Sequence, residues 1–138
     1  MHVSSHKNRV EMKKKIIAYE GKEYIIEWYF NDKGKSESLA YFKDLSSDRQ
    51  KKFARLLLLL GDSGKIFNLE KFRYEGDQIY VFKPSPDRFF CFFFDGSKVI
   101  ITNAYEKKSA KMPSKEKEKA LKAKENYIIR VKKGTYYE

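Results

Sequence analysis

The chain has 138 residues, 36% of them charged, and a formal net charge of +11 at pH 7, so its surface is expected to attract phosphate backbones, acidic proteins or anionic membranes. This length fits one domain with a single core, and no stretch approaches the roughly 20 apolar residues that span a bilayer or has the pattern of a signal peptide. With one cysteine and two histidines, neither a disulfide framework nor a cysteine or histidine metal site is expected, and we predict a cytoplasmic protein without a cofactor.

Composition divides the chain into a tail, a domain and a short end. Residues 1–15 are polar and basic and show no periodicity, so they are interpreted as a tail. Residues 16–133 carry the alternating and helical patterns of a folded unit, and residues 134–138 are interpreted as a second, short tail. The sequence therefore predicts a single folded domain between two tails.

The first half of the domain is predicted to form strands and then two helices. A short strand over 16–19 pairs with a stronger strand over 24–30, and a helix follows over 36–45. A second helix begins with a capping box at Ser47 and ends at Gly61. Its apolar positions at helical spacing are Phe53, Leu56, Leu57 and Leu60. Because leucine fills every position from 56 to 60, this helix is expected under the sheet or against its partner helix, and a membrane or partner-binding helix is the alternative.

The second half is predicted to form strands and a last helix. If the short strand over 16–19 is counted with its neighbour, and the pair over 69–74 and 78–83 as one unit, the order is β-α-α-β-β-β-α. The strand candidates are a pair over 69–74 and 78–83, then 88–94, then 98–103, and the last two form a hairpin around an Asp-Gly turn. The final helix is capped by Ser114 and is rich in lysine. Five phenylalanines alternate between the faces of the 88–94 strand, so both faces must be covered, and the second face is expected to be shared with a partner.

A cationic loop joins the last strand to the last helix. It starts at Tyr105 and contains Lys107, Lys108 and Lys111 before Pro113 opens the helix. Cations gathered at a strand end favour an anion-binding site. A lysine pair at a sheet edge could instead protect that edge from aggregation.

Four segments of this half carry a family resemblance. They are Lys71–Tyr74, Gln78–Lys83, Asp87–Phe90 and the loop Tyr105–Pro113. Together they resemble the RelE/ParE toxin superfamily, most closely its HigB-like, phage-type branch, over roughly residues 24–130. Two positions depart from the family pattern, since Val81 stands where a glutamate is usual and Lys83 where an arginine is usual.

The resemblance implies a fold, an activity and partners. The implied fold is α+β and RelE-like, a small, mainly antiparallel twisted sheet with two N-terminal helices on one face and a C-terminal helix. The implied protein is the toxin of a type II toxin–antitoxin system, a metal-independent mRNA interferase that cleaves messenger RNA in the ribosome and inhibits translation. Its implied partners are a cognate helix-turn-helix antitoxin, the ribosome and messenger RNA, with no membrane.

The same resemblance implies which side chains carry the chemistry. An RNA 2′-hydroxyl attacks the adjacent phosphate, so the protein must orient the attack, stabilise negative charge and move protons. Arginine can grip two phosphate oxygens, whereas a lysine crowded by other cations has a lowered pKa and can transfer a proton. The candidate catalytic residues are Lys83, Arg88, Tyr105, Lys107 and Lys108, and the candidate RNA-binding residues are Lys71, Arg73 and Lys111.

Alternatives remain for the residues and for the function. Arg88 could be a solvated charge at a strand end, Arg73 could pair with Glu70 or Glu75, and Tyr105 could belong to the core. A ParE-like toxin that binds gyrase without cleaving RNA is the second functional hypothesis. Arg88 and the Lys107–Lys108 pair favour the nuclease over it, and the departures at positions 81 and 83 weaken that preference. A basic RNA-binding or phage accessory protein without activity is the third.

Overall fold

The computed structural model describes residues 15–138, which form six strands and three helices. The strands are β1 (Ile17–Glu20), β2 (Ile25–Trp28), β3 (Phe72–Tyr74), β4 (Tyr80–Phe82), β5 (Asp87–Phe94) and β6 (Lys98–Glu106), and the helices are α1 (Glu37–Lys43), α2 (Ser47–Ser63) and α3 (Ser114–Lys132). The α+β class is therefore confirmed. The predicted N-terminal tail, apart from Lys15, lies outside the described residues.

The strands form one mixed sheet in the order β1-β2-β6-β5-β4-β3. Neighbouring strands are antiparallel except β2 and β6, which run parallel. Parallel neighbours need a long connection, and here both N-terminal helices and three strands lie between them in the chain. This order brings the ends of β3, β4, β5 and β6 side by side and leaves β3 at an open edge of the sheet.

Helices cover both faces of the sheet. On one face lie α1 and α2, where Phe53 of α2 stacks on Phe89 of β5 with ring centroids 3.8 Å apart. On the other face lies α3, whose Tyr127 meets Phe92 of β5 with centroids 5.5 Å apart. Successive β5 side chains point to opposite faces, so both layers bury this strand. The second face, which the sequence predicted to be covered, is thus covered by α3 of the same chain.

Both long helices begin next to their predicted caps. The N-cap of α2 is Ser46, whose hydroxyl accepts a hydrogen bond from the Arg49 amide at 3.4 Å, so Ser47 is the first helical residue and not the cap. The N-cap of α3 is Pro113, and Ser114 is its first helical residue. A proline fits this place because its fixed φ and missing N–H cost nothing at a helix start.

The end of α2 differs from the prediction because of a close approach between two segments. The helix runs through Gly61 and ends at the left-handed Gly64, whose N–H donates to the Leu60 carbonyl. At Gly61 the β1–β2 turn crosses the helix, and a Cβ on Gly21 would lie 2.3 Å from the Gly61 carbonyl carbon. Glycine at position 61 therefore reflects tertiary packing and not helix termination.

The leucine run of α2 faces two ways. Leu56, Leu57 and Leu60 are buried in the core, whereas Leu58 and Leu59 are about half exposed. The buried set confirms the expected position of the helix against the sheet. None of the helices formed by residues 15–138 has the length and apolar character needed to cross a membrane.

The C-terminal residues belong to the folded unit. Tyr136 is 4% exposed, and its hydroxyl accepts a hydrogen bond from the Phe30 amide at 2.9 Å. The Tyr137 hydroxyl donates to Glu27 Oε1 at 2.7 Å. The segment over 134–138, which the sequence predicted to be a tail, thus folds back because its aromatic side chains complete the core under α3.

Candidate functional site

A bulge in β6 determines which side chains share a face near the end of the sheet. Between the Cys91–Ile101 and Phe89–Ala104 pairs, β6 contains one residue more than β5. Side chains alternate between faces along a strand, and one extra residue reverses the alternation beyond it. Tyr105 consequently lies on the α3 face of the sheet and not on the α2 face.

Beyond the bulge, the ends of four strands converge on a pocket of about 240 Å³. Arg73 belongs to β3 and Arg88 to β5, while Lys83 directly follows β4 and Lys107 directly follows β6. Tyr105 stands opposite Arg88 in the β5–β6 ladder. The lining residues are Arg73, Glu75, Val81, Lys83, Arg88, Tyr105, Lys107, Ser109, Ala110 and Met112. We call this site the cationic pocket, because its lining has four cations and one carboxylate.

Arg88 is a buried cation of the pocket, only 8% exposed. Its Nη1 donates to the Asp87 carbonyl at 3.0 Å. The Asp87 carboxylate points to the other face, where Arg49 Nε donates to it at 3.0 Å and the Tyr41 hydroxyl also donates. Arg49 and Tyr41 therefore satisfy that carboxylate, and the charge of Arg88 is left to act inside the pocket. This burial differs from the solvated strand-end charge considered as an alternative.

Lys83 has the electrostatic environment expected for a proton-transferring lysine. Partial burial lowers its pKa, and the positive charges of Arg88, Arg73 and Lys107 lower it further, against a smaller opposing effect of Glu75. Both causes disfavour the charged ammonium. The neutral amine, which can accept a proton, is therefore more accessible at neutral pH than in an ordinary lysine.

The pKa of Tyr105 is raised, whereas that of Lys83 is lowered. Partial burial raises the pKa of its phenol; Arg88 opposes this shift, and Glu116 and Glu75 add to it. The phenol therefore stays protonated at neutral pH and can donate a hydrogen bond or a proton. Its ring also packs 6.0 Å from that of Phe90, so the core fixes its orientation.

Glu75 supplies a carboxylate that the sequence did not mark as part of the site. Its Oε1 lies 3.8 Å from Arg73 Nε, one of the pairings considered as an alternative for Arg73. Glu75 comes two residues after Arg73, and this spacing in an extended segment places two side chains on the same face, so the sequence contained a signal for it. Val81, 2% exposed, forms an apolar part of the lining where no proton transfer is possible. Among residues 15–138 no group of three or more His, Cys, Asp or Glu side chains is placed to hold a metal ion.

The remaining predicted residues lie outside the cationic pocket. Lys108 and Lys111 are exposed in the loop after β6 and do not line it, although the neighbouring Lys107 does. The Lys107 amide donates to the Pro86 carbonyl at 2.8 Å, which ties the start of the loop to the β4–β5 turn. Lys71 lines a separate depression beside α2. The structure thus brings together five of the eight predicted residues.

The family described as "Phage derived protein Gp49-like (DUF891)" matches residues 40–125, from α1 into α3, and this range includes every residue of the cationic pocket. No curated protein matches the chain. The Gp49-like family lies within the RelE/ParE-like toxin superfamily, and its members are commonly toxins of toxin–antitoxin modules. Since the match spans more than half of its residues, the chain belongs to the phage-derived Gp49-like family.

Proposed function

We propose that the chain is the toxin of a type II toxin–antitoxin module and that it cleaves messenger RNA on the ribosome. The observation that carries this proposal is the convergence of Arg73, Lys83, Arg88 and Lys107 with Tyr105 on one pocket. A site with four cations and one carboxylate suits a phosphodiester and the extra negative charge that develops on it during cleavage. The HigB-like resemblance and membership of the Gp49-like family support the same assignment.

The proposed reaction needs no group beyond those of the pocket and the RNA. The 2′-oxygen forms a bond to phosphorus and the bond from phosphorus to the 5′-oxygen breaks, which leaves a 2′,3′-cyclic phosphate and a 5′-hydroxyl. The neutral amine of Lys83 accepts the proton of the 2′-hydroxyl, and the protonated phenol of Tyr105 donates a proton to the leaving 5′-oxygen. Arg88 holds two non-bridging oxygens with its planar guanidinium, and Lys107 adds a second positive charge.

Family membership also implies a protein partner, and an antitoxin is part of the proposal. Phe67 and Leu69 are 84% and 69% exposed, and with Tyr74 they line a groove of about 280 Å³ beside the open β3 edge. Apolar side chains this exposed are typical of a surface that another protein covers. We expect the antitoxin to bury this groove.

Cleavage of ribosome-bound messenger RNA by the purified chain tests the proposal. The Arg88→Gln variant removes the buried charge, and Lys132→Gln, at an exposed position near the end of α3, is the matched control for charge loss. Loss of one preorganised charge donor is expected to slow cleavage on the order of 10²-fold, with the control unchanged. Thermal melting checks that both variants fold.

A different outcome would select the ParE-like alternative, which the apolar Val81 in the pocket favours. In that case the parent chain would inhibit supercoiling by gyrase and leave messenger RNA intact on the ribosome. If the folded Arg88→Gln variant cleaved RNA as fast as the parent, the cationic pocket would not be the catalytic site.

A further inference from the structure

A second cationic depression lies on the other side of the turn that joins β4 to β5. It has a volume of about 280 Å³ and is separate from the cationic pocket. Its lining residues are Lys52, Arg55, Leu56, Lys71, Pro84 and Ser85. We call it the basic cleft, because three of its six lining residues are cations and none is acidic.

The three cations come from two parts of the fold and are all exposed. Lys52 and Arg55 are on α2, and Lys71 directly precedes β3. Within residues 15–138, none of the three forms an ion pair with a carboxylate. By contrast, Lys98, Lys117, Lys119 and Arg130 are each paired with an acidic side chain. The positive charge of the basic cleft is therefore available to a ligand.

The basic cleft has buried apolar residues in its wall besides the three exposed cations. Leu56 and Pro84 are buried apolar residues that give it a fixed floor. Ser85 is exposed and adopts a φ of 42°, a left-handed conformation that is unfavourable for a residue with a side chain. Ser85 lines the basic cleft, so its hydroxyl lies beside the three cations.

The β4–β5 turn links the basic cleft to the cationic pocket. The Lys83 amide donates to the Lys71 carbonyl at 2.7 Å, so a residue of the pocket and a residue of the cleft are bonded neighbours. A polyanion that occupies the pocket can thus reach the cleft by crossing one turn, whereas an isolated acidic side chain of a protein would gain nothing from this continuity.

We propose that the basic cleft binds a phosphate of the RNA backbone adjacent to the phosphate held in the cationic pocket. This inference rests on the proposed function and extends it by a second contact. Lys52, Arg55 and Lys71 neutralise the phosphate, and the Ser85 hydroxyl donates a hydrogen bond to it. The RNA is either the message being cut or ribosomal RNA beside it, since both present the same phosphodiester.

Binding of an uncleavable RNA tests this proposal without depending on activity. The probe is a fully 2′-O-methylated oligoribonucleotide, and its Kd is measured from 50 to 200 mM salt. The cleft variant combines Lys52→Gln, Arg55→Gln and Lys71→Gln, and the matched control combines Lys115→Gln, Lys132→Gln and Lys133→Gln, which remove the same charge from exposed positions on and just after α3. The cleft variant is expected to bind on the order of tenfold more weakly at low salt, with a salt slope reduced by about 1, while the control keeps the parental slope.

Parallel measurements with vacant ribosomes separate the two sources of RNA. Weakened binding of the oligonucleotide identifies the message, and weakened binding of ribosomes alone identifies ribosomal RNA. Parental binding of both the oligonucleotide and the ribosomes by the cleft variant overturns the proposal.

The Arg88→Gln variant in the same assay distinguishes this failure from failure of the proposed function. If Arg88→Gln weakens RNA binding and the cleft variant does not, the basic cleft is excluded while the nuclease assignment stands. If the cleft variant alone loses binding and the parent cuts no message, the cleft stands and the nuclease assignment fails. A parent that binds neither RNA nor ribosomes overturns both.

Discussion

Lys107 and Lys108 are adjacent lysines that the structure treats differently, and this difference gives the sharpest prediction about the site. Both are exposed, but Lys107 lines the cationic pocket and Lys108 does not. The Lys107 amide donates a hydrogen bond to the Pro86 carbonyl, which fixes the backbone at this position. Lys107→Ala keeps that backbone bond and removes only the ammonium group. The two alanine substitutions therefore change the same charge at positions one residue apart.

The expected magnitudes are well separated. Loss of one preorganised donor slows a reaction about 10²–10³-fold, and because Lys107 is exposed and screened by water we place Lys107→Ala at the lower end, about 10²-fold. Lys108→Ala should remain within about fivefold of the parent, since an exposed charge outside the site contributes at most about 1 kcal/mol. Both substitutions should change the free energy of unfolding by no more than about 0.5 kcal/mol.

Single-turnover cleavage of ribosome-bound message, with urea denaturation of each variant, measures both quantities. Equal losses of rate in the two variants would show that the pair acts only through general attraction to RNA. A larger loss in Lys108→Ala than in Lys107→Ala would refute the placement of the site in the cationic pocket.

Three further predictions concern proton transfer, the support of the pocket and the C-terminus. The cleavage rate should rise with pH and level off above the pKa of Lys83, which lies below that of an ordinary lysine. In Lys107→Ala the midpoint of the pH–rate profile should move upward, because one positive charge that lowers this pKa is gone. An unchanged midpoint would contradict the role of Lys83. Asp87→Ala should lower the free energy of unfolding, measured in urea, by about 2–3 kcal/mol, because it removes the buried acceptor of Arg49. The loss is limited because Arg49 is partly exposed to water. A loss under about 1 kcal/mol would show that the Arg49–Asp87 pair does not stabilise the fold. In the same assay, Tyr136→Ala should lower the free energy of unfolding by about 3–5 kcal/mol, because Tyr136 is buried. Tyr74→Ala, at a half-exposed position, should lower it by less than about 1 kcal/mol. Similar losses in the two variants would argue against a core role for the C-terminal residues.

Local sequence patterns determined most of the elements. The β5–β6 hairpin follows from alternating aromatic and β-branched residues around Asp95 and Gly96, whose φ values of 60° and 66° are the positive angles that such a tight turn requires. Helix starts at Ser47 and Ser114 were located to within one residue, because capping chemistry involves only neighbours in the chain. The loop of cations after β6 was also visible without any tertiary information.

Tertiary structure alone decided which of those cations meet. The β6 bulge reverses the faces of the residues beyond it, and whether Tyr105 points to α2 or to α3 depends on the exact register of β6 against β5, which the alternation of apolar residues does not specify. Gly61 was taken for a helix end because the crossing of Gly21 over it is a long-range contact. The sequence by itself determined that an α+β domain carries a basic surface, since composition and short-range periodicity are local properties. Only the pairing of β3, β4, β5 and β6 side by side in one sheet gathered the cations from four separate strand ends into one pocket.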